Sequence, residues 1–147
     1  MRLVLQRVAR ASVSVEGAQL ASIERGYLLF VGVGHDDGPD DAERLADKVV
    51  NLRIFRDVEG KTNLSLAEVG GQALVVSQFT LYADTGKGRR PSFVGAADPV
   101  EAAALVERFA HAMEAREVAV GRGAFGAEMQ VELVNDGPFT LTFDTHA

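Results

Sequence analysis

Apolar and polar positions alternate along the first part of the chain, a pattern typical of strands with one buried face. The alternation extends from Arg2 to Glu24 and is interrupted at Glu16-Gly17, which predicts two strands joined by a hairpin turn. The next segment, Tyr27–Val31, is apolar at every position and lies between glycines. Because such a strand is covered on both faces, we expect it at the centre of the sheet.

Two later segments place apolar residues at helical spacing. The first helix is predicted to begin at Pro39, which suits a first helical position, and Asp40 and Asp41 complement the positive end of its dipole. The second helix is predicted over Glu101–Arg116. The apolar stripes comprise Ala42, Leu45, Val49 and Leu52 in the first helix and Leu105, Phe109, Ala112 and Met113 in the second.

The remaining segments are predicted strands and one irregular stretch. Ala73–Leu81 is rich in β-branched and aromatic residues, which predicts a strand. Tyr82–Pro99 has no periodicity and is interpreted either as a functional loop or as a mobile surface loop. Alternation on both sides of Asn135–Pro138 predicts two strands joined by a turn. The sequence therefore predicts a single domain over residues 1–147, mainly antiparallel β-sheet with two helices, of the α/β or α+β class.

Composition narrows the possible classes of function. The chain has 15 Lys and Arg residues against 21 Asp and Glu, a net charge of −6 that argues against a non-specific nucleic-acid binder and against a DNA partner. It has no cysteine, which excludes disulfides, a thiolate nucleophile and Cys-ligated metals and agrees with a reducing compartment. Arginines interrupt the N-terminal apolar residues, and the longest apolar run is far shorter than a membrane span. We expect a soluble cytoplasmic protein with no membrane partner.

Conventional catalytic and cofactor motifs are weak in this sequence. Gly32-Val33-Gly34 lies between a predicted strand and a predicted helix, but Asp36 and Asp37 would repel a pyrophosphate at that helix N-terminus. No Gly-x-Ser-x-Gly motif is present. Neither metal-ligand spacing nor an acidic residue at a matching offset accompanies the histidines, which are His35, His111 and His146. The sequence therefore predicts neither a cofactor nor a metal site.

Several short motifs are informative in combination. Ser77-Gln78-Phe79-Thr80 opens a segment that continues to Asp84, and Gly88-Arg-Arg-Pro-Ser-Phe93 follows it. Gly123-Ala-Phe-Gly-Ala127 and Asn135-Asp-Gly-Pro138 come later, and the chain starts with MRLVLQRVARASVSV. With these motifs in this order, the sequence resembles the D-aminoacyl-tRNA deacylase family, main cytosolic type, over essentially its whole length.

The resemblance implies a fold, an assembly and a site. It implies packed β/β/α layers, a homodimer with active sites at the subunit interface, and aminoacyl-tRNA as the substrate. The residues implied to form the catalytic pocket are Ser77, Gln78, Phe79 and Thr80. Gly137 and Pro138, joined by a cis peptide bond, are implied to reach this pocket from the partner chain as a chiral filter.

Further positions match the family with less specific roles. Arg7, Phe125 and Met129 match positions near the family's pocket. Phe139 departs from the family pattern, because a smaller β-branched residue is expected after Pro138. The basic loop supplies candidate tRNA contacts in Lys87, Arg89 and Arg90, since an acceptor end needs few phosphate contacts.

The implied reaction is hydrolysis of the ester that joins a D-amino acid to the terminal ribose of tRNA. This ester is activated relative to an amide, so positioning and an oxyanion hole suffice for its hydrolysis. Backbone N–H groups of Phe79 and Thr80 are candidate oxyanion donors, and the neighbouring ribose hydroxyl is a candidate helper. The alternative mechanism makes Thr80 a covalent nucleophile, although the sequence supplies no evident base beside it.

Stereochemistry is the harder requirement. An enzyme that accepts many D-residues must contact the substituents of the α-carbon with rigid backbone, and Gly137-Pro138 suits that role. Glycine has no Cβ, so glycyl-tRNA is expected to pass the same filter. The alternative function is a non-catalytic dimeric module that binds the tRNA acceptor end.

Overall fold

The N-terminal hairpin forms as the alternation predicts. The computed structural model describes all of residues 1–147. Strand β1 (Arg2–Val15) pairs antiparallel with β2 (Ala18–Ile23). The turn places Glu16 at φ 49° and Gly17 at φ 80°, and two successive residues with positive φ match the twist of a tight hairpin.

One mixed sheet contains six of the eight strands. Its order is β2-β1-β3-β6-β7, and β8 (Gln130–Asp144) pairs with the other side of β1. The further members are β3 (Gly26–Gly32), β6 (Gln72–Ser77) and β7 (Ala119–Arg122), while β4 (Phe55–Arg56) and β5 (Thr62–Leu64) form a separate ribbon. Because β2 also contacts β6 and β7, the sheet curls toward a barrel.

The predicted fold class is confirmed, with two parallel pairings added to the antiparallel ones. Strand β1 pairs antiparallel with β2, β3 and β8, whereas β6 pairs parallel with both β3 and β7. Helix α1 (Pro39–Asn51) lies in the connection from β3 to β6, and α2 (Pro99–Glu114) lies in the connection from β6 to β7. Parallel strands need such long crossovers, so the two helices account for the parallel pairs.

The core lies on both faces of the central strand, as predicted for Tyr27–Val31. Tyr27, Leu29 and Val31 of β3 belong to the main cluster with the helices, while Leu28 belongs to a smaller cluster on the opposite face. The two helices pack against each other. The first turn of α1 is stabilised by Asp41, whose carboxylate accepts the Gly38 N–H at 2.8 Å. No helix has the length and apolar character needed to cross a membrane.

Two predicted segments have a different structure, and the second helix spans Pro99–Glu114 rather than the predicted Glu101–Arg116. The strand predicted over Ala73–Leu81 ends at Ser77, and Phe79–Tyr82 forms a short 3₁₀ helix. The predicted turn at Asn135–Pro138 is not a turn, because β8 continues through it. Asn135 pairs with Val8 and Thr140 pairs with Gln6, so Arg7 stands opposite a bulge from Asp136 to Phe139. Turn-forming residues serve here to bulge one strand rather than to reverse the chain.

Candidate active site

An apolar cleft of about 430 Å³ opens where β3 and β6 end. Ser77, Gln78 and Phe79 line one side, and Phe125 lines another. The Phe79 ring contacts Phe93 edge to face at a centroid distance of 5.0 Å, and its side chain remains 56% exposed. Asp98 is the one ionisable residue among those that line the cleft. The structure therefore brings Ser77, Gln78, Phe79 and Phe125 together, in a cleft poor in acid–base groups.

The 3₁₀ helix presents backbone donors beside this cleft. Its start is held by the Gln78 N–H, which donates to the Val31 carbonyl at 2.8 Å. Phe79 and Thr80 are its first two residues, so their N–H groups have no acceptor within the helix. Two adjacent unengaged donors at the rim of an apolar cleft are the arrangement that an oxyanion hole requires.

The Thr80 side chain lies beside the cleft on the exposed surface of the 3₁₀ helix. Its hydroxyl oxygen accepts a hydrogen bond from the side-chain amide of Gln78. An amide N–H cannot remove a proton from a hydroxyl, so this contact positions Thr80 without activating it.

The Gly137-Pro138 peptide bond is cis, as the resemblance implies, and both residues are exposed. Arg7 lies buried beneath them, where its Nε donates to the Asp136 carbonyl at 3.2 Å and pairs with the Asp136 carboxylate at 3.1 Å. Its Nη1 donates to the Ile54 carbonyl. Arg7 therefore anchors the bulge that carries the Gly-Pro pair.

Phe139 also packs against the Arg7 guanidinium. The Arg7 guanidinium carbon lies 4.4 Å from the centroid of the Phe139 ring. The side-chain amide of Asn135 donates to the Arg7 carbonyl at 2.9 Å and to the Phe139 carbonyl at 3.1 Å. The aromatic residue that departs from the expected pattern thus packs against Arg7 in the support of the bulge.

Within one chain, the Gly-Pro pair and the cleft are far apart in the sheet. Arg7, which faces the bulge, pairs with Tyr27, and Tyr27 pairs with Ala73. Ser77 lies four residues beyond Ala73 on β6, and β8 is separated from β6 by β1 and β3. Neither Gly137 nor Pro138 lines the cleft. A single chain does not bring the predicted chiral filter to the predicted catalytic residues.

Similarity to known proteins extends along almost the whole chain. The family model described as D-Tyr-tRNA(Tyr) deacylase matches residues 4–144. The chain belongs to this family of D-aminoacyl-tRNA deacylases. The resemblance inferred from the motifs is thereby confirmed.

Individual relatives of the deacylase family agree with this assignment. The D-aminoacyl-tRNA deacylase of Chloroflexus aurantiacus is 59% identical over 145 residues, which cover 99% of this chain and 91% of the relative. That of Bacillus velezensis is 52% identical over 145 residues and 99% of each chain. A solved structure named c-Myc DNA Unwinding Element Binding Protein superposes with a TM-score of 0.90 at 36% identity over 98% of both chains. Another, described as "a probable eukaryotic D-amino acid tRNA deacylase", has a TM-score of 0.83 at 21% identity over 97% of both chains and shares the fold.

None of the remaining residues predicted for the deacylase site lines the cleft. Met129 is half-buried and packs against Gly123, where a Cβ would lie 2.6 Å from the Met129 sulfur. Lys87, Arg89 and Arg90 are exposed in a loop that begins just after the 3₁₀ helix. Backbone hydrogen bonds between Asp84 and Ser92 close this loop, and none of its three basic side chains forms an ion pair.

Carboxylate partners of two histidines were missed by the sequence reasoning. Glu107 and Glu114 flank His111 on α2 at 3.1 and 3.4 Å, although no acidic residue was expected at a matching offset. Asp37 lies 2.8 Å from His146, and Asp41 lies 3.9 Å from it. Asp37, Asp41 and His146 are close enough together to ligate a cation, but the Met1 amino group already pairs with Asp37 there. The partners of His111 stand at helical spacing in the sequence, whereas no local signal links residue 37 to residue 146.

Proposed function

We propose that this deacylase-family chain hydrolyses D-aminoacyl-tRNA at the cleft beside the 3₁₀ helix, as one half of a homodimer in which the partner's Gly-Pro pair completes each pocket. Family membership makes the chain a hydrolase of the aminoacyl-tRNA ester bond and does not favour the non-catalytic module. The observation that carries the proposed site is the pair of unengaged N–H groups at Phe79 and Thr80 beside an apolar cleft.

The reaction at these donors is an acyl transfer to water. Water adds to the ester carbonyl carbon, and the carbonyl oxygen becomes an oxyanion that accepts hydrogen bonds from the Phe79 and Thr80 N–H groups. The bond from that carbon to the ribose oxygen then breaks, and the ribose oxygen takes the proton that the attacking water gives up, so that free amino acid and tRNA leave. The neighbouring ribose hydroxyl assists proton transfer, in keeping with a cleft whose lining offers Asp98 as its one ionisable side chain.

Gly137 and Pro138 act as the chiral filter in this proposal. A Cβ added to Gly137 would meet only the Asn135 side-chain oxygen within 4 Å, at an ordinary contact distance of 3.4 Å, and Gly137 does not have a positive φ. The chain's own fold therefore does not require glycine at this position. Because the chain's own packing does not need glycine here, we assign the absence of a Cβ to the substrate, whose α-carbon then approaches the backbone closely. Glycyl esters lack a Cβ and pass this filter.

The exposed edge of β8 offers a surface through which a second copy of the chain binds and supplies that filter. Strand β8 is an edge strand of 15 residues that pairs with β1 alone, and none of its residues is fully buried. Val131, Leu133 and Val134 of β8 line a groove of about 670 Å³ together with residues of β1 and β2. A long edge with unpaired backbone groups invites pairing with another chain. A second copy on this edge covers the groove and presents its own exposed Gly-Pro pair.

The tRNA is held at its acceptor end by few contacts. Lys87, Arg89 and Arg90 supply positive charge next to the cleft, whereas the chain as a whole carries a net charge of −6. The basic loop binds phosphates locally, while the negative charge of the rest of the chain repels them. Binding is therefore limited to one end of the nucleic acid. The cytoplasm is the proposed place of action.

The decisive experiment compares enantiomers. Purified protein is incubated with D-tyrosyl-tRNA and with L-tyrosyl-tRNA, and free tyrosine and intact ester are measured over time. Release of tyrosine from the D-ester alone supports the proposal. Binding of either ester without release, or equal release from both, contradicts it.

A further inference from the structure

Tyr82 ends the 3₁₀ helix that begins with the proposed oxyanion donors. Its ring lies against the Arg2 guanidinium, whose central carbon is 4.5 Å from the ring centroid. The ring also lies against Gly34, where a Cβ would be only 2.7 Å from a ring carbon. Gly34 is therefore required for the close packing of Tyr82, which gives the Gly32-Val33-Gly34 motif a packing role in place of phosphate binding.

A buried carboxylate holds the Tyr82 hydroxyl. Tyr82 Oη donates to Oδ2 of Asp37 at 3.2 Å, and the same oxygen accepts the Gly34 N–H at 2.6 Å. The Asp37 side chain is 1% exposed. Burial and the nearby Asp37 carboxylate both raise the pKa of Tyr82, so the hydroxyl stays protonated and remains a donor.

Asp37 itself stays ionised despite its burial. Desolvation disfavours its charged form, but hydrogen bonds from the Met1 amino group and the Gly34 N–H outweigh that cost and lower the pKa of Asp37. A charged acceptor makes the hydrogen bond from Tyr82 stronger than one between neutral groups.

Further contacts hold the same helix on the end of β3. Arg2 Nη1 donates to the Leu81 carbonyl at 2.9 Å, and the Gln78 N–H donates to the Val31 carbonyl at 2.8 Å. The helix is thus fastened at its start by backbone and at its end by Tyr82 and Asp37. Gln78 and Val31 line the cleft, whereas Tyr82, Asp37 and Arg2 do not.

We infer that Asp37 and Tyr82 are positioning residues for ester hydrolysis, which fix the 3₁₀ helix so that the Phe79 and Thr80 N–H groups point at the developing oxyanion. The inference rests on the proposed function of those two donors. It adds a charged, buried support from the β3–α1 loop to a site that otherwise consists of backbone groups and an apolar cleft. Donors that drift by a fraction of an ångström stabilise an oxyanion less without changing ground-state binding.

The test compares two tyrosine-to-phenylalanine variants. Tyr82→Phe removes the hydroxyl that binds Asp37, whereas Tyr27→Phe removes a buried hydroxyl that has no hydrogen-bond partner in the chain. Single-turnover hydrolysis of D-tyrosyl-tRNA is measured against enzyme concentration, at a temperature where both variants are fully folded. We expect Tyr82→Phe to lower the maximal rate constant by about tenfold with an unchanged half-saturating concentration. We expect Tyr27→Phe to keep the parental values.

Asp37→Asn provides a second arm. If both residues act through one hydrogen bond, the double variant Asp37→Asn/Tyr82→Phe loses no more rate than the stronger single variant. Additive losses, or a Tyr82→Phe rate equal to that of Tyr27→Phe, would overturn the positioning role.

Variants at Phe79 separate this inference from the proposed function. Phe79→Pro removes one proposed donor together with the ring, and Phe79→Ala removes only the ring. If Phe79→Pro hydrolyses the ester much more slowly than Phe79→Ala while Tyr82→Phe keeps the parental rate, the proposed donors are supported and the positioning role is wrong. If Phe79→Pro and Phe79→Ala are equal, the proposed donors are wrong, and the positioning inference falls with them.

Discussion

Arg7 holds Asp136 by two contacts, since its Nε lies 3.2 Å from the carbonyl oxygen and 3.1 Å from a carboxylate oxygen of that residue. Asp136 precedes the Gly-Pro pair, so this contact fixes the bulge from beneath. Arg56 reaches the same carboxylate from the surface at 3.5 Å. The two arginines thus approach one carboxylate from a buried and an exposed position.

Substitution of the buried arginine is expected to lower the free energy of unfolding more than substitution of the exposed one. Arg7→Met leaves the Ile54 and Asp136 carbonyls without their donor and is expected to lower the free energy of unfolding by about 2–3 kcal/mol. Arg56→Met removes a half-exposed pair and is expected to cost less than about 1 kcal/mol. Urea unfolding curves measure both values. Similar losses in the two variants would contradict the anchoring role of Arg7.

The proposed oxyanion donors are tested by a pair of substitutions at Phe79. Gln78 has φ −147° and ψ 78°, outside the helical region that a following proline disfavours, and Phe79 is the first residue of the 3₁₀ helix, where proline is tolerated. Phe79→Pro therefore removes the N–H with little disturbance of the helix. Loss of one oxyanion donor is expected to slow single-turnover hydrolysis about 100-fold beyond the Phe79→Ala control. Circular dichroism checks that both variants remain folded.

Two glycine variants distinguish a filter from a structural glycine. Gly137→Ala is expected to keep the parental melting temperature, because its Cβ has room and its φ is not positive. Its turnover of D-tyrosyl-tRNA is expected to fall about 100-fold, because the new methyl group displaces the substrate. The control, Gly60→Ala, has φ +78° with open space around it, and is expected to lose about 1 kcal/mol of stability with unchanged turnover. A Gly137→Ala variant with parental turnover would remove Gly137 from the filter.

Sharing of the pocket between subunits is tested with heterodimers purified through two different tags. A dimer of a Phe79→Pro chain and a Gly137→Ala chain retains one intact site if the pocket is shared, so its activity is expected to be about half that of the parent. A dimer of a parental chain and a Phe79→Pro/Gly137→Ala chain then has no intact site. If each pocket belongs to one chain, the two activities are reversed.

Thr80 is expected to be dispensable as a nucleophile. Its hydroxyl accepts from Gln78 and contacts no base. Thr80→Ala is therefore expected to keep the single-turnover rate within about tenfold of the parent, with Thr80→Ser as the control that keeps the hydroxyl. Mass spectrometry of quenched reactions reports any acyl group on Thr80. An acylated Thr80, or an inactive but folded Thr80→Ala, would establish covalent catalysis instead.

At the two segments that were predicted wrongly, contacts with residues distant in the sequence determine the structure instead of the local residue pattern. Phe79 and Thr80 have strand propensity, but Gly32 and Gly34 leave space for the chain to turn back onto β3, and Tyr82 packs there. Gly-Pro after Asn-Asp has the composition of a turn, yet pairing of β1 with both halves of β8 makes it a bulge. In both cases the deciding partner lies tens of residues away along the chain.

By itself, the sequence determined the hairpin, the central strand, both helices and the family, because each depends on periodicity or on motifs of neighbouring residues. It also indicated part of the cleft lining, since Ser77, Gln78 and Phe79 are consecutive. Only the tertiary structure decided that Arg7 and Phe139 support the Gly-Pro bulge, that Asp37 reaches Tyr82 and His146, and that the bulge and the cleft are apart in one chain. These relationships join residues far apart in the chain, and their geometry is set by strand register and side-chain packing rather than by local residue preference.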